Sequence, residues 1–174
     1  MAASSEIRGI VLMSSDQKNS EEICCPPFKN EPWQDKLQQW VKKPFIKTTL
    51  RSLWYMPLGF GKAMRRLDAI RRNKNAQNPD HLTLSEHPSK WKINLLQAVD
   101  KPIPDVQSET LDGTFYSRVY EGDYRNMGKW MKDFEEALKK KKLKAKRTFM
   151  WYTTCPECAK KYGRNPTVIV SEVG

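Results

Sequence analysis

The stretch GTFYSRVYEGDYRNMGKWMKDFEEAL, residues 113–138, changes its hydrophobic period midway. Its first part alternates every second residue. Phe115 and Val119 fall on one face of an extended strand, Tyr116 and Tyr120 on the other. After Gly122-Asp123-Tyr124 the spacing becomes three and four. Met127, Trp130, Met131, Phe134, Ala137 and Leu138 then form one apolar stripe opposite Lys129, Lys132, Asp133 and Glu136. This pattern predicts a strand, a turn at the glycine and an amphipathic helix from about Asn126, its stripe facing a core.

The flanking sequence adds further elements. Trp33, Leu37, Trp40 and Val41 repeat at helical spacing, so a helix is expected over 33–42, stopped at Pro44. Residues 45–55 alternate as a strand, and MPLGFG turns the chain into a helix carried by Phe60, Ala63, Met64, Leu67 and Ile70. HLTLSEHPS suggests a short strand. Residues 90–99 form another, with Trp91, Ile93, Leu95 and Val99 on one face, broken by DKPIPD. Residues 147–153 and 167–173 read as the last two strands. The expected class is α+β: an antiparallel sheet with helices on one face, in two pseudo-symmetric halves of βαββ type.

With 174 residues, a single domain is expected over 24–174, behind a flexible leader at 1–23. No apolar run approaches a membrane span, and the N-terminus has no secretory signal pattern. Its four cysteines are read as thiols and the location as cytoplasmic. The net charge of +11 gathers in Arg65–Lys74 and Lys139–Arg147. Neither run belongs to a nucleic-acid-binding motif, so these are read as solvated helix ends and no specific nucleic-acid partner is expected. The oligomeric state is not legible.

WYTTCPECAKKYG, residues 151–163, carries a C-x-x-C. Thr154 as N-cap with Glu157 three residues on fits a capping box, and Gly163 a helix stop. Cys155 and Cys158 then lie on one face of a short helix. Three readings stay open: buried structural thiols, a redox pair, or half of a zinc site. Zinc needs two more ligands, for which Cys24 and Cys25, or His81 and His87, are the candidates. No other cofactor is expected, and the roles of Cys24 and Cys25 stay open.

No Ser-His-Asp set and no phosphate-cradling glycine loop are legible. Glu109, Asp112, Glu121 and Asp123 near strand ends are the candidate general bases. Trp54, Tyr55, Trp91, Tyr116, Tyr120, Trp151 and Tyr152 all fall on expected strands. If the helices cover one side of the sheet, the other side would carry an aromatic-walled cleft suited to a flat apolar ligand.

Together, residues 113–138, the DKPIPD break before them and the TFMWYTTCP strand after them resemble the gyrase-inhibitor-like (GyrI-like) small-molecule-binding superfamily. The combination of CCPPF, KPFIK, LWYMPLGFG and YTTCPECAKKYG looks like an uncharacterised branch whose members are sometimes labelled hydrolases. The resemblance implies βαββ units forming a groove for small organic molecules. Relatives are effector-binding domains, a gyrase inhibitor or hydrolases, and the related SOUL group is linked to haem. Many members carry a Glu-x-Tyr in the strand after the long helix. Here it falls on Met150-Trp151-Tyr152, which keeps the tyrosine and lacks the carboxylate; Glu121 or Glu109 would have to substitute. The expected ligand-binding set is Trp54, Trp91, Tyr116, Glu121, Trp151 and Tyr152, for a small aromatic or amphipathic molecule. Hydrolysis on the same scaffold and a zinc- or thiol-dependent interaction module are the alternatives.

Overall fold

A computed structural model describes residues 24–174; the expected leader at 1–23 lies outside the described residues. Among the described residues there are seven strands: β1 (Lys36–Leu53), β2 (Met56–Pro57), β3 (Thr83–Ser89), β4 (Lys92–Ala98), β5 (Ser108–Glu121), β6 (Ala145–Tyr152) and β7 (Pro166–Val173). The helices are α1 (Phe60–Asn73), α2 (Met127–Lys140) and α3 (Pro156–Tyr162). All strand pairs are antiparallel. The order β1-β4-β3-β6-β7-β5 returns to β1 through a β1–β5 pairing, which closes six strands into a barrel. The first part runs β1-β2-α1-β3-β4 and the second β5-α2-β6-α3-β7, so the second carries a helix where β3 and β4 are joined by a turn. The two parts meet at β1–β5 and at the short β3–β6 seam, where Ser85 pairs with Met150 and Glu86 with Phe149.

Alternation within the strands divides the residues between two faces. Trp40, Phe45, Leu84, Leu96, Phe115, Phe149, Trp151, Val168 and Val170 belong to one buried cluster filling the barrel. Trp40 stacks on Phe115 with centroids 4.1 Å apart. On the outside, α1 sets Ala63 and Leu67 against Ile46, Ile93 and Leu95, and α2 sets Trp130, Phe134 and Leu138 against Tyr116, Ile169 and Val173. Both helices therefore cover the outer face, as expected. The opposite face is not an open cleft, because closure of the sheet turned it into a packed interior.

The helix expected over 33–42 is a turn followed by strand. Trp33 and Gln34 donate backbone hydrogen bonds to Asn30 O, and β1 begins at Lys36. The 3.6-residue fit arose because Trp33 and Trp40 both enter the barrel, one from the turn and one from β1, while Leu37 and Val41 stay exposed. Pro44 does not end the segment. It follows a bulge at Lys42, which has φ 44° and donates its amide to Asp112 Oδ1 at 3.2 Å. At the other end of β1, Trp54 and Tyr55 have positive φ and form the β1–β2 turn rather than strand.

α3 ends where Gly163 takes φ 62°. A Cβ there meets no atom within 4 Å. Gly163→Ala is thus expected to cost about 1 kcal/mol from backbone strain alone, read as a lower urea midpoint at unchanged slope. The expected capping box is not formed. Cys155 is the N-cap, its Sγ accepting the Cys158 amide, and Thr154 instead bonds Asn165 Oδ1. The cap moved one residue because Pro156 begins the helix. Among the described residues no helix is long and apolar enough to cross a membrane.

Candidate functional site

The six residues expected to line a ligand site are dispersed. Tyr116 is fully buried under α2, and its hydroxyl donates to Asp35 Oδ1 at 2.5 Å. Trp151 is 3% exposed and points into the barrel, edge-on to Phe28 at 5.4 Å and Trp33 at 4.8 Å. Adjacent residues of a strand face opposite ways, so Trp151 and Tyr152 cannot line one surface. Trp54 and Trp91 are 65% and 49% exposed and 6.0 Å apart, with Lys90 Nζ over both rings. Glu121 pairs with Arg164 and accepts from Asn30 at the rim of an open hollow beside α3. Tyr152 alone of the six joins a different group.

That group lies on the outer faces of β3 and β6, which the strand order places between the β1–β4 region under α1 and the β5–β7 region under α2. Ser85 sits between Leu95 and Met150, and Met150 is paired in turn with Ile169. Two residues along, Thr83 pairs with Gln97 and Tyr152 with Thr167. In the other direction come His87 on β3 and, on β6, Thr148, which pairs with Ser171. The floor is thus polar, apolar and polar in successive rows. Aromatic rings stand over its ends. Phe60 and Tyr124 approach Tyr152 edge-on at 6.5 and 5.1 Å, and Tyr55 lies 6.3 Å from His87.

The polar groups of this floor are partly paired: Gln97 Nε2 donates to Asp68 Oδ1 on α1 at 3.0 Å, and Thr148 Oγ1 lies 3.1 Å from Ser171 Oγ. Among the described residues, His87 Nδ1, Gln97 Oε1 and Thr167 Oγ1 are buried without a hydrogen-bond partner. Among the described residues the Tyr152 hydroxyl reaches only the Met150 sulfur, at 3.7 Å, and burial with the neighbouring Tyr124 pushes its pKa up to about 12. Ser85 Oγ and His87 Nε2 are 3.0 Å apart. Burial lowers the His87 pKa below its ordinary 6.5, which keeps the imidazole neutral near pH 7.

Of the candidate bases, Glu109 is held elsewhere. Arg147 reaches into one barrel mouth, contacting Glu86 twice (2.8 and 3.0 Å) and Glu109 at 2.6 Å; Lys47 also binds Glu109, at 2.7 Å. Burial raises both carboxyls, but these cations and Asn94 outweigh it and hold them below their ordinary value. Two paired carboxylates against two cations make a closed structural network, poorly suited to proton transfer. Asp112 is the acceptor at the β1 bulge, and Asp123 caps the turn before α2 by accepting the Arg125 amide.

At the other end of the barrel, Cys24, Cys25, Cys155 and Cys158 bring their four sulfurs within 4.8 Å of one another. Burial raises the Cys155 thiol, but the Cys158 amide and the neighbouring thiols more than reverse this and bring it to about 7. Burial pushes Cys25 up to about 11. The four cysteines can hold a metal ion.

Thr83 and Ser85 are not singled out in the sequence, and His87 is considered there only as a zinc ligand. The alternation in HLTLSEHPS carried the signal: Leu82, Leu84 and Glu86 point inward, so Thr83, Ser85 and His87 must point outward.

Solved structures share this fold. An uncharacterized conserved protein from Listeria innocua superposes with a TM-score of 0.59 at 11% identity, over 81% of this chain and 92% of that one. A hydrolase from Listeria innocua gives 0.56 at 11% identity, over 81% and 92%. The EcmrR C-terminal domain gives 0.56 at 11%, over 82% and 98%. At this identity the likeness is one of fold, and the fold is consistent with the GyrI-like one. No curated protein matches the chain. The model of a family described as bacterial hydrolase matches residues 15–173.

Proposed function

The chain belongs to the bacterial hydrolase family, and from that premise we propose that it binds a small aromatic or amphipathic molecule on the strip between α1 and α2. The carrying observation is that Phe60 of α1, Tyr124 of the turn before α2 and Tyr152 of β6 gather beside Met150 on one sheet face, with ring centroids 6.5 and 5.1 Å from Tyr152. A flat ligand would set its rings against these side chains. Met150 at the centre of the floor supplies no charge, which favours neutral ligands over cations. Residues 24–174 would act as a single binding domain, with a cytoplasmic location suited to its free thiols.

A thermal-shift screen of neutral planar aromatics is expected to give concentration-dependent stabilisation. Tyr152→Ala should weaken the best compound about tenfold, the equivalent of about 1.4 kcal/mol of ring contact. Unchanged affinity in that variant removes the strip as the site.

The Ser85–His87 pair favours a second reading, hydrolysis in the same strip. In the tautomer with the proton on Nδ1, His87 Nε2 accepts from Ser85 and can take its proton. Turnover of chromogenic aryl esters is the test. His87→Gln is expected to reduce it to background. Because burial lowers the His87 pKa, the base form persists to lower pH, and the rate should rise with pH to a plateau around a midpoint below 6.5. A midpoint above 6.5 contradicts His87 as the base.

A further inference from the structure

We propose that Cys24, Cys25, Cys155 and Cys158 form a four-thiolate zinc site that fixes the N-terminal segment across one end of the barrel. The inference is independent of the strip between the helices. Zinc held by four sulfurs at about 2.3 Å requires the sulfurs to lie about 3.8 Å apart. Cys24 Sγ is 3.7 Å from Cys25 Sγ, 3.4 Å from Cys155 Sγ and 3.7 Å from Cys158 Sγ. None of these is near the roughly 2.05 Å of a disulfide bond. Two adjacent cysteines on an irregular N-terminal segment and a C-x-x-C at the corner between β6 and α3 thus converge within 4.8 Å, with the distances from Cys24 close to the edge of a tetrahedral shell.

The surroundings suit thiolate ligands. Backbone amides already point at the sulfurs, Cys155 N–H to Cys25 Sγ at 3.3 Å and Cys158 N–H to Cys155 Sγ at 3.4 Å. Amide donors of this kind stabilise metal-bound thiolates and fix their orientation. The Tyr162 hydroxyl donates to Cys25 O at 2.7 Å, which holds the N-terminal pair against α3. Four sulfur ligands select a soft ion over calcium or magnesium. They also complete the coordination of zinc and leave no position for a water, so the site serves structure rather than hydrolysis.

Its position defines that structural role. The N-terminal segment carries Phe28 and Trp33 from Cys25 onto Trp151, which lies on β6 shortly before Cys155. Both ends of this aromatic plug are therefore tied to the same cysteine cluster. The short segment gains order from the ion that its own residues cannot supply by burial, since Cys24 is exposed and Cys25 and Phe28 only half-buried.

The test uses the full chain, purified under reducing conditions and reconstituted with zinc alone. Elemental analysis is expected to find one zinc per chain, with all four thiols slow to react until a chelator removes the ion. Cobalt loading should give thiolate-to-cobalt charge transfer and the visible bands of a tetrahedral site. Chelation should change tryptophan fluorescence as the Phe28 and Trp33 plug loosens. Cys24→Ser, at an exposed position outside every helix and strand, should keep the far-ultraviolet circular dichroism and lose zinc affinity at least tenfold. Only trace metal after reconstitution, iron in place of zinc in the isolated protein, an octahedral cobalt spectrum or unchanged zinc affinity in Cys24→Ser would each overturn the proposal.

Discussion

Trp151→Ala is expected to lower unfolding stability by about 3–5 kcal/mol, a large share of the 5–15 kcal/mol typical of a folded domain. The indole is 3% exposed inside the barrel, against Phe28 and Trp33. Deleting it removes two edge-to-face contacts and leaves a cavity that surrounding strands, hydrogen-bonded on both sides, cannot collapse to fill. Urea denaturation followed by circular dichroism would show a lower midpoint. Trp151→Phe, which keeps most of the ring, should recover more than half of the loss. The sequence reading placed Trp151 in a ligand site, and this pair of variants separates the two roles. A side chain lining an open cleft would cost less than about 1 kcal/mol on truncation. A result in that range refutes the barrel-core placement.

Arg147→Met is expected to cost about 2–3 kcal/mol, less than a fully buried pair would because these side chains retain some solvent. The substitution strands Glu86 and Glu109 facing one another with only Lys47 and Asn94 as partners. Adding Glu86→Gln and Glu109→Gln should restore part of the loss by removing the uncompensated charges. The pH dependence follows from the same contacts. Both carboxyls lie below their ordinary 4.5 in the folded chain, so they bind fewer protons there than in the unfolded chain. Their contribution is complete above the unfolded value and is lost as pH falls through the folded one. Thermal melts of the wild type should decline as pH falls below 4.5, and Arg147→Met should flatten that decline. An identical pH profile in the variant would show that the network does not couple to folding.

Arg147 illustrates why part of this protein was not legible in advance. In sequence it ends a run of lysines, and composition assigns such a run to solvent. Its alternation with Phe149 and Trp151 on β6 turns it inward, and only the register with β3 and the closure through β5 bring Glu86 and Glu109 to it. Cys24 and Cys25 present the same problem at longer range. Their spacing to Cys155 and Cys158 has no local signature, because the four sulfurs meet through the path of the whole barrel. Trp33 and Trp40 misled for a related reason: both enter one core from different elements and happen to fit a helical period.

What the sequence determined by itself is local. Periods of two and 3.6 residues defined β4 to β7, α1 and α2, because alternation and stripe are consequences of one residue's geometry relative to the next. Gly163 and the turn at Gly122 likewise follow from the chain's own dihedral limits. The tertiary structure alone decided that the sheet closes. Closure made Trp151 a core residue, made Glu109 a structural ion, set Tyr152 on the same outer face as Ser85 and His87, and gathered the cysteines. Those outcomes depend on which strand pairs with which, a choice set by the summed burial of distant faces and invisible to any window of neighbouring residues.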